Sequence, residues 1–236
     1  MSEPRPAGEV LLINKPYGWT SFQAVKKIKW VTRAKRVGHA GTLDPLATGL
    51  LVICTEGSTR KINDIQLQEK EYTGTITLGF TTPSYDLETE ANAHFPYDHL
   101  AEETILSATT AFTGEIEQQP PLFSAIKVDG KRAYKLAREG STAVLNARKV
   151  LIKEFQITGI SLPDIHFRVV CSKGTYIRSL AYDFAKALGS GGHLSALCRT
   201  RIGDYRIENA STPQAYEQIK KNMLSNDISS GEIAES

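Results

Sequence analysis

The sequence lacks the features that mark secreted, membrane-bound and zinc-dependent proteins. Its 236 residues contain three cysteines, Cys54, Cys171 and Cys198, and no C-x-x-C pair, which argues against a zinc site and against a disulfide framework. The longest apolar run, GLLVIC, is far shorter than the roughly 20 residues that a membrane-spanning helix needs. The N-terminus has no apolar segment of the kind found in signal peptides. We therefore expect a cytoplasmic protein that does not enter a membrane.

Metal-ligand motifs are also scarce. The five histidines (39, 94, 99, 166 and 193) include no H-E-x-x-H or similar spacing, so no metal site is expected. The sequence has no phosphate-type glycine loop followed by a lysine, and no acidic cluster suited to magnesium. A metal-free hydrolase or phosphotransferase that uses an aspartate nucleophile stays open as an alternative, although no motif supports it.

The charged residues are segregated along the chain, although the net charge is only +2. From Lys15 to Leu43 there are seven basic residues and no acid, whereas residues 84–117 carry eight acids and no Lys or Arg. Residues 127–206 again favour the positive sign, with fifteen Lys or Arg against six Asp or Glu. Such segregation indicates a basic face, which is typical of proteins that bind polyanions. The alternative is that each basic run is an ordinary solvated helix face.

Strand and helix patterns follow one another without a regular βαβ order, which favours an α+β fold on a mixed, mostly antiparallel sheet. The apolar run VLLIN predicts a strand over 10–14, and Thr20 or Ser21 is predicted to cap the helix that follows. Further helices are predicted over 98–112, 176–188 and 213–224 from their apolar spacing.

Asp44 is the first acid after the long basic tract and lies in the stretch GHAGTLDPLATG. Pro45 favours extended dihedrals at Asp44, and Gly38 and Gly41 let the backbone turn sharply beside it. A carboxylate on a shaped loop ahead of an apolar strand is well placed to face a ligand. On local sequence alone, the favoured explanation is an Asp that hydrogen-bonds its own turn.

Three other residue types suit an RNA site, and each has a plainer explanation. His39 follows a basic tract, where an imidazole can stack on a base, but a loop histidine without a role fits too. Tyr72 lies on an alternating strand, either as a half-buried strand aromatic or as a surface for a flipped base. Arg178 lies near a strand-to-helix turn, where it could orient a carboxylate through a charge-assisted pair or simply be exposed.

Six segments, in this order, resemble the bacterial tRNA pseudouridine synthase B family. They are LLINKPYGWTS, GHAGTLDPLATGLL, EYTGTITLG, QPPLFSAIKVDGKRAY, CSKGTYIRSL and LCRTRIGDY, and they span about residues 10–207. The stretch GTLDPLATG is highly specific for the family, and five further segments agree with it.

The resemblance implies a pseudouridine synthase catalytic fold with helices around the sheet and a central cleft. It implies conversion of the T-arm uridine of tRNA, at position 55, to pseudouridine after base flipping, without metal, redox cofactor or ATP. Such an isomerase is expected to be a monomer. Residues 10–224 would form the catalytic domain, with an RNA-contacting insertion at about 118–147 and tails at 1–9 (flexible) and 225–236 (disordered).

The resemblance also implies a role for each matching residue. Asp44 and Arg178 are the expected catalytic pair, the aspartate reacting and the arginine orienting it. The expected substrate-binding residues are Lys15, His39, Tyr72, Tyr176 and Leu197. The expected contacts to the RNA backbone are Lys127, Lys131, Arg132 and Lys135.

The sequence departs from the family pattern in two places, and one rival function stays open. The family commonly ends with a small RNA-binding domain, which is expected to be absent here because only about thirty residues follow Arg206. The family's T-D-T-x-D stretch reads TTPSYD here, so Asp86 is left outside the catalytic set. A non-catalytic RNA chaperone would also need base flipping and basic grooves. Whether Asp44 adds to C1′, attacks C6 or takes a 2′ proton on the way to a glycal stays open.

Overall fold

The structure is a computed structural model, and it describes residues 7–124, 127–128, 131–133 and 145–231. The strands are β1 Val10–Lys15, β2 Val37–His39, β3 Thr48–Thr55, β4 Lys70–Leu78, β5 Phe80–Thr81, β6 Ala93–His94, β7 Gly114–Gln118, β8 Lys127–Val128, β9 Lys131–Arg132, β10 Arg148–Ser161, β11 Asp164–Cys171, β12 Gly192–Ile202 and β13 Tyr205–Arg206. The α-helices are α1 Ser21–Thr32, α2 Ile62–Leu67, α3 Glu102–Ala108, α4 Ile177–Ala187 and α5 Pro213–Gly231. By its contacts the chain divides into two compact units, Met1–Gln68 with Arg199–Ser236, and Glu69–Cys198.

The first unit is built around the buried strand β3. Both β1 and β2 pair with β3 in antiparallel register, with Leu12 opposite Val52 and His39 opposite Ile53. All of β3 after Thr48 is buried, as expected for the continuous apolar run GLLVIC. One side of the strand packs with α1 through Ile28, and the two helices α1 and α5 contact each other.

Helix α1 begins where the sequence predicts. Thr20 is its N-cap and forms a capping box with Gln23: the Gln23 backbone donates to the Thr20 hydroxyl at 3.1 Å, and the Thr20 backbone donates to the Gln23 side chain at 2.7 Å. These bonds satisfy two amides that would otherwise lack a partner at the helix start. Because the cap fixes the first turn, it also fixes the residues that contact the neighbouring loop.

The second unit is an antiparallel sheet covered by helices. In this unit β4 pairs with β11, β11 with β10 and β10 with β7, each antiparallel. Its core includes Phe155, which meets the rings of Phe167 and Phe184 edge to face with centroids 6.0 and 5.1 Å away. Phe184 lies on α4, so these contacts fix α4 on the sheet.

The predicted α+β class is confirmed, and the predicted strand at 10–14 and helix at 176–188 correspond to β1 and α4. Two helix predictions were wrong in extent. Over residues 98–112 the α-helix begins only after Ala101 and gives way to a 3-10 turn, Thr109–Phe112. The last helix, α5, continues to Gly231 and so includes residues that the sequence assigned to a disordered tail. The assignment of 10–224 to a single catalytic domain stays a prediction.

Candidate active site

Asp44 lies in the loop between β2 and β3 and is half-buried. Its carbonyl accepts a hydrogen bond from the Ala47 amide at 3.1 Å, which closes a turn around Pro45. Gly41 has φ +94°, a conformation that L side chains rarely adopt, so the loop depends on glycine at this point. The sharp turn predicted beside Asp44 is therefore present.

Lys15 supports this loop from the end of β1. Its side chain is 0% exposed, and its ammonium donates to the carbonyls of Pro16 at 3.0 Å, Trp19 at 2.6 Å and Pro45 at 3.2 Å. Burial lowers the pKa of Lys15 to about 8, while the Asp44 carboxylate raises it and Arg199 lowers it further. One buried cation thus donates to the residue that follows Asp44 and interacts electrostatically with Asp44 itself.

Arg199, near the end of β12, supports the other side of the loop. Only 1% of it is exposed. Its Nη2 donates to the Gly41 carbonyl at 3.0 Å, its Nε to Leu50 at 2.8 Å, and its Nη1 approaches the Thr42 carbonyl at 3.5 Å. Arg199 therefore connects strand β3 to the segment two to three residues before Asp44.

The first turn of α1 makes a third connection. The Ser21 hydroxyl donates to the Leu43 carbonyl at 3.0 Å and accepts from the Leu43 amide at 2.9 Å. Both groups are buried, so each bond is shielded from water. With Arg199 bonded to Gly41 and Lys15 to Pro45, the backbone on both sides of Asp44 is held by buried donors.

His39 is the last residue of β2, on the same connection as Asp44. Burial lowers its pKa; a hydrogen bond to the Gly41 backbone raises it, and Arg199 lowers it. Its buried Nδ1 atom has no hydrogen-bond partner among the described residues. A buried polar atom without a partner is costly unless a ligand satisfies it.

In the second unit Arg178 lies in the first turn of α4 and is 3% exposed. Its Nη1 donates to the Ser84 carbonyl at 3.0 Å and its Nη2 to the Phe123 carbonyl at 2.9 Å. Its Nε lies 3.7 Å from a carboxylate oxygen of Asp86, which is 4% exposed. The alternative of an exposed arginine at this helix start is therefore excluded. The pairing of Arg178 with Asp44 stays a prediction.

Tyr176 is the N-cap residue of α4 and is held by a buried glutamine. The Gln118 side chain accepts from the Tyr176 amide at 2.7 Å and donates to its carbonyl at 3.0 Å. The guanidinium of Arg148 lies 4.7 Å from the centre of the Tyr176 ring. In the same unit Tyr72 lies on β4 opposite Val169 and is 9% exposed, and Leu197 is half-buried on β12.

The predicted contacts to the RNA backbone lie in a segment that is described only in part. Lys127 on β8 pairs with Arg132 on β9, and Val128 pairs with Lys131, so three of the four residues share one hairpin. Lys135 lies outside the described residues. Over the part of the chain that is described, no three His, Cys, Asp or Glu side chains are grouped so that they could hold a metal ion. No helix in that part is long and apolar enough to cross a membrane.

Sequence reasoning missed two residues of this arrangement, Arg199 and Asp86. Arg199 lies in the segment LCRTRIGDY, whose alternation indicated only a strand. Asp86 was set aside because TTPSYD departs from the family's acidic stretch, yet the structure places its carboxylate beside Arg178. The signal that could have found Arg199 is a charge that falls among apolar residues of a predicted strand, because a charge on the inward face of a strand needs buried partners.

Comparison with known proteins defines the class. Residues 29–177 match the model of the TruB family pseudouridylate synthase (N terminal domain). The chain is 57% identical over 218 residues to the tRNA pseudouridine synthase B of Flavobacterium johnsoniae, covering 89% of this chain and 95% of that protein. It is 50% identical over 217 residues to the protein of the same description from Phocaeicola vulgatus, covering 89% and 92%. The chain belongs to the TruB family of pseudouridylate synthases.

Solved structures agree on the fold. A chain of a Cbf5-Nop10-Gar1 complex superposes with a TM-score of 0.65 at 32% identity, covering 84% of this chain and 49% of that chain. A chain of an H/ACA RNP bound to a substrate RNA containing 2'-deoxyuridine gives a TM-score of 0.66 at 28% identity, covering 90% and 55%. This chain thus spans about half the length of these solved chains, and the pseudouridine synthase fold predicted from the sequence is confirmed.

Proposed function

We propose that the protein isomerises uridine to pseudouridine in tRNA, that its target is the T-arm uridine at position 55, and that the reaction depends on Asp44. The observation that carries the proposal is the support of the Asp44 loop, where Lys15, Arg199 and Ser21 all donate to backbone carbonyls within three residues of Asp44. Burying two cations costs free energy, and a loop that only joins two strands does not require them. A reacting carboxylate does require such support, because a displacement of about 1 Å can cost a hundredfold in rate.

The reaction exchanges one bond to the sugar for another. The N1–C1′ bond breaks, the uracil rotates until C5 faces the sugar, and a C5–C1′ bond forms. C5 loses its proton and N1 gains one, so the product is an isomer and no oxidant or reductant is consumed. Asp44 acts by adding to C1′, by attacking C6 or by taking the 2′ proton towards a glycal. Each route places the carboxylate against the flipped nucleotide.

The other site residues act on the extruded base and on the position of the loop. Extrusion costs a few kcal/mol in unstacking, and stacking on Tyr72 returns roughly 1–3 kcal/mol. Tyr176 and Leu197 complete the lining of the base site, and His39 takes the place that the flipped nucleotide leaves in the RNA. Lys15 supports the loop instead of binding substrate, because its ammonium is fully buried against three carbonyls.

The RNA backbone is bound by the insertion at 118–147, through Lys127, Lys131, Arg132 and Lys135. The protein acts as a monomer in the cytoplasm, where its tRNA substrate is found. The relatives described as tRNA pseudouridine synthase B support tRNA as the substrate. Sedimentation of the purified protein with and without tRNA tests whether the protein is a monomer.

The decisive experiment incubates the protein with an unmodified T-arm stem-loop and maps pseudouridine by position. We expect product at the position-55 uridine alone, and none with Asp44→Asn, which still binds the RNA. Asp64→Asn is the matched control, because Asp64 is an exposed aspartate of α2 in the same unit. Product from pure Asp44→Asn protein would contradict the assignment. Binding without any product from the unaltered protein would favour a chaperone, and free uracil would favour a hydrolase.

A further inference from the structure

One face of α1 combines exposed aromatic and basic side chains. Phe22 is 72% exposed and Trp30 is 65% exposed, and Lys26 and Lys29 between them are exposed as well. With about 3.6 residues per turn, these four positions fall within an arc of about 100° around the helix. Arg33, which follows the helix as its C-cap, is also exposed. Two large exposed aromatic rings are not expected on a helix face that only contacts solvent.

The cations of this face are not neutralised by neighbours. No acidic residue occurs between Lys15 and Leu43, and no carboxylate of a described residue forms an ion pair with Lys26, Lys29 or Arg33. Lys27, which lies off this face, does pair with Glu217 of α5. The Lys27 ammonium lies 4.7 Å from the centre of the Trp30 ring and so contacts the indole. Trp30 is still 65% exposed. The face therefore presents positive charge and two rings to the solvent.

The face also begins beside the Asp44 loop. Ser21, the first residue of α1, is bonded in both directions to Leu43, which directly precedes Asp44. Phe22 is the next residue of the helix. Trp30 lies eight residues further, or about 12 Å along the axis at about 1.5 Å per residue. The N-terminal end of α1, which carries Phe22, therefore lies beside the residues that precede Asp44.

We propose that this face of α1 is an RNA-binding surface that continues from the Asp44 loop, where Phe22 and Trp30 stack on unpaired bases while Lys26, Lys29 and Arg33 contact phosphates. The proposal rests on the proposed function for the identity of the RNA, which is the tRNA substrate. Aromatic rings interleaved with cations are the combination that binds single-stranded nucleic acid, because every base offers a π-face and every nucleotide a phosphate. Lysine is depleted in protein–protein interfaces and is a common contact to phosphate, so Lys26 and Lys29 favour RNA over a protein as the occupant.

The test compares two double variants with matched controls. Phe22→Ala with Trp30→Ala removes the rings, and Lys26→Gln with Lys29→Gln removes two charges. The controls are Leu67→Ala, an exposed apolar residue of the same unit, and Lys153→Gln, an exposed cation that pairs with Glu69. Each protein is titrated with whole tRNA at several salt concentrations, and pseudouridine formation is measured separately at saturating tRNA.

We expect the ring variant to bind tRNA about fivefold more weakly, or worse, for each stacked base that is lost. The charge variant should flatten the slope of log affinity against log salt by about 1.4, because each single-strand phosphate contact contributes about 0.7. The rate at saturating tRNA should stay unchanged in both, and the controls should match the unaltered protein.

Unchanged affinity and unchanged salt slope in both variants would overturn the proposal. A change in sedimentation of the free protein without a change in tRNA affinity would overturn it too, in favour of an interface between copies. If tRNA binding depends on this face while the unaltered protein makes no pseudouridine, the proposed function fails and the RNA-binding surface stands.

Discussion

Replacing Arg199 tests whether the support of the Asp44 loop matters for the chemistry as well as for folding. Arg199→Leu takes the side-chain donor away from the buried Leu50 carbonyl and from the part-buried Gly41 carbonyl. A buried group left unsatisfied costs about 1–3 kcal/mol, so up to about 6 kcal/mol of the free energy of unfolding is at stake. The contact to Thr42 at 3.5 Å adds little to this sum. Since whole domains are stable by only about 5–15 kcal/mol, the leucine variant tests folding more than catalysis.

Arg199→Lys is therefore the informative change. A lysine keeps the charge and one donor, but its single ammonium cannot reach both β3 and the segment before Asp44. We expect the loop to loosen and kcat to fall about a hundredfold, the cost of a displacement of about 1 Å. KM should change little, because the residues proposed to bind the RNA are untouched.

The assay measures kcat and KM on a T-arm stem-loop, together with urea unfolding of the same preparations. Arg201→Lys is the matched control, since Arg201 lies on the same strand and donates to the Gly203 carbonyl at 3.0 Å, away from the loop. A normal kcat in Arg199→Lys protein, with a lower free energy of unfolding, would refute the reasoning and leave Arg199 a purely structural residue.

Two further predictions follow from buried ionisable groups. The folded-state pKa of Lys15, about 8, lies below its ordinary value of 10.5, so the unfolded chain binds more protons between these limits. The free energy of unfolding should therefore rise with pH across this window, and urea titrations of Lys15→Met should lose that rise; an identical pH dependence would contradict the buried ammonium. Asp86→Asn should lower the free energy of unfolding by about 3 kcal/mol, the lower end for a broken buried pair, because Arg178 keeps two carbonyl acceptors. Exposed Glu90→Gln is the control, and equal urea midpoints for the two variants would show that Asp86 and Arg178 are not coupled.

The parts of the fold that the sequence predicted well depend on local interactions. The cap of α1 at Thr20 and the positive φ at Gly41 follow from the chemistry of those residues and their close neighbours. The polar composition after residue 224 led to the prediction that the last helix ends there. The chain nevertheless has no glycine or further proline after Pro213 until Gly231, and the helix continues to that residue.

The parts of the site that the sequence did not predict depend on distant partners. Arg199 bonds to Gly41 and Leu50, which lie 158 and 149 residues away along the chain. A strand pattern predicts which face a side chain takes, but it does not predict that a loop supplies carbonyls at that face. The position of Asp86 beside Arg178, 92 residues later, has the same origin in tertiary packing.

The two hydrogen bonds between Ser21 and Leu43 have a mechanical consequence. Because one hydroxyl serves both the amide and the carbonyl of Leu43, the loop cannot slide along or rotate away from the helix without breaking both bonds. A displacement of α1 would therefore move Leu43, and the neighbouring Asp44, with it. The position of Asp44 is thus set by the position of the helix as well as by the hydrogen bonds within the loop.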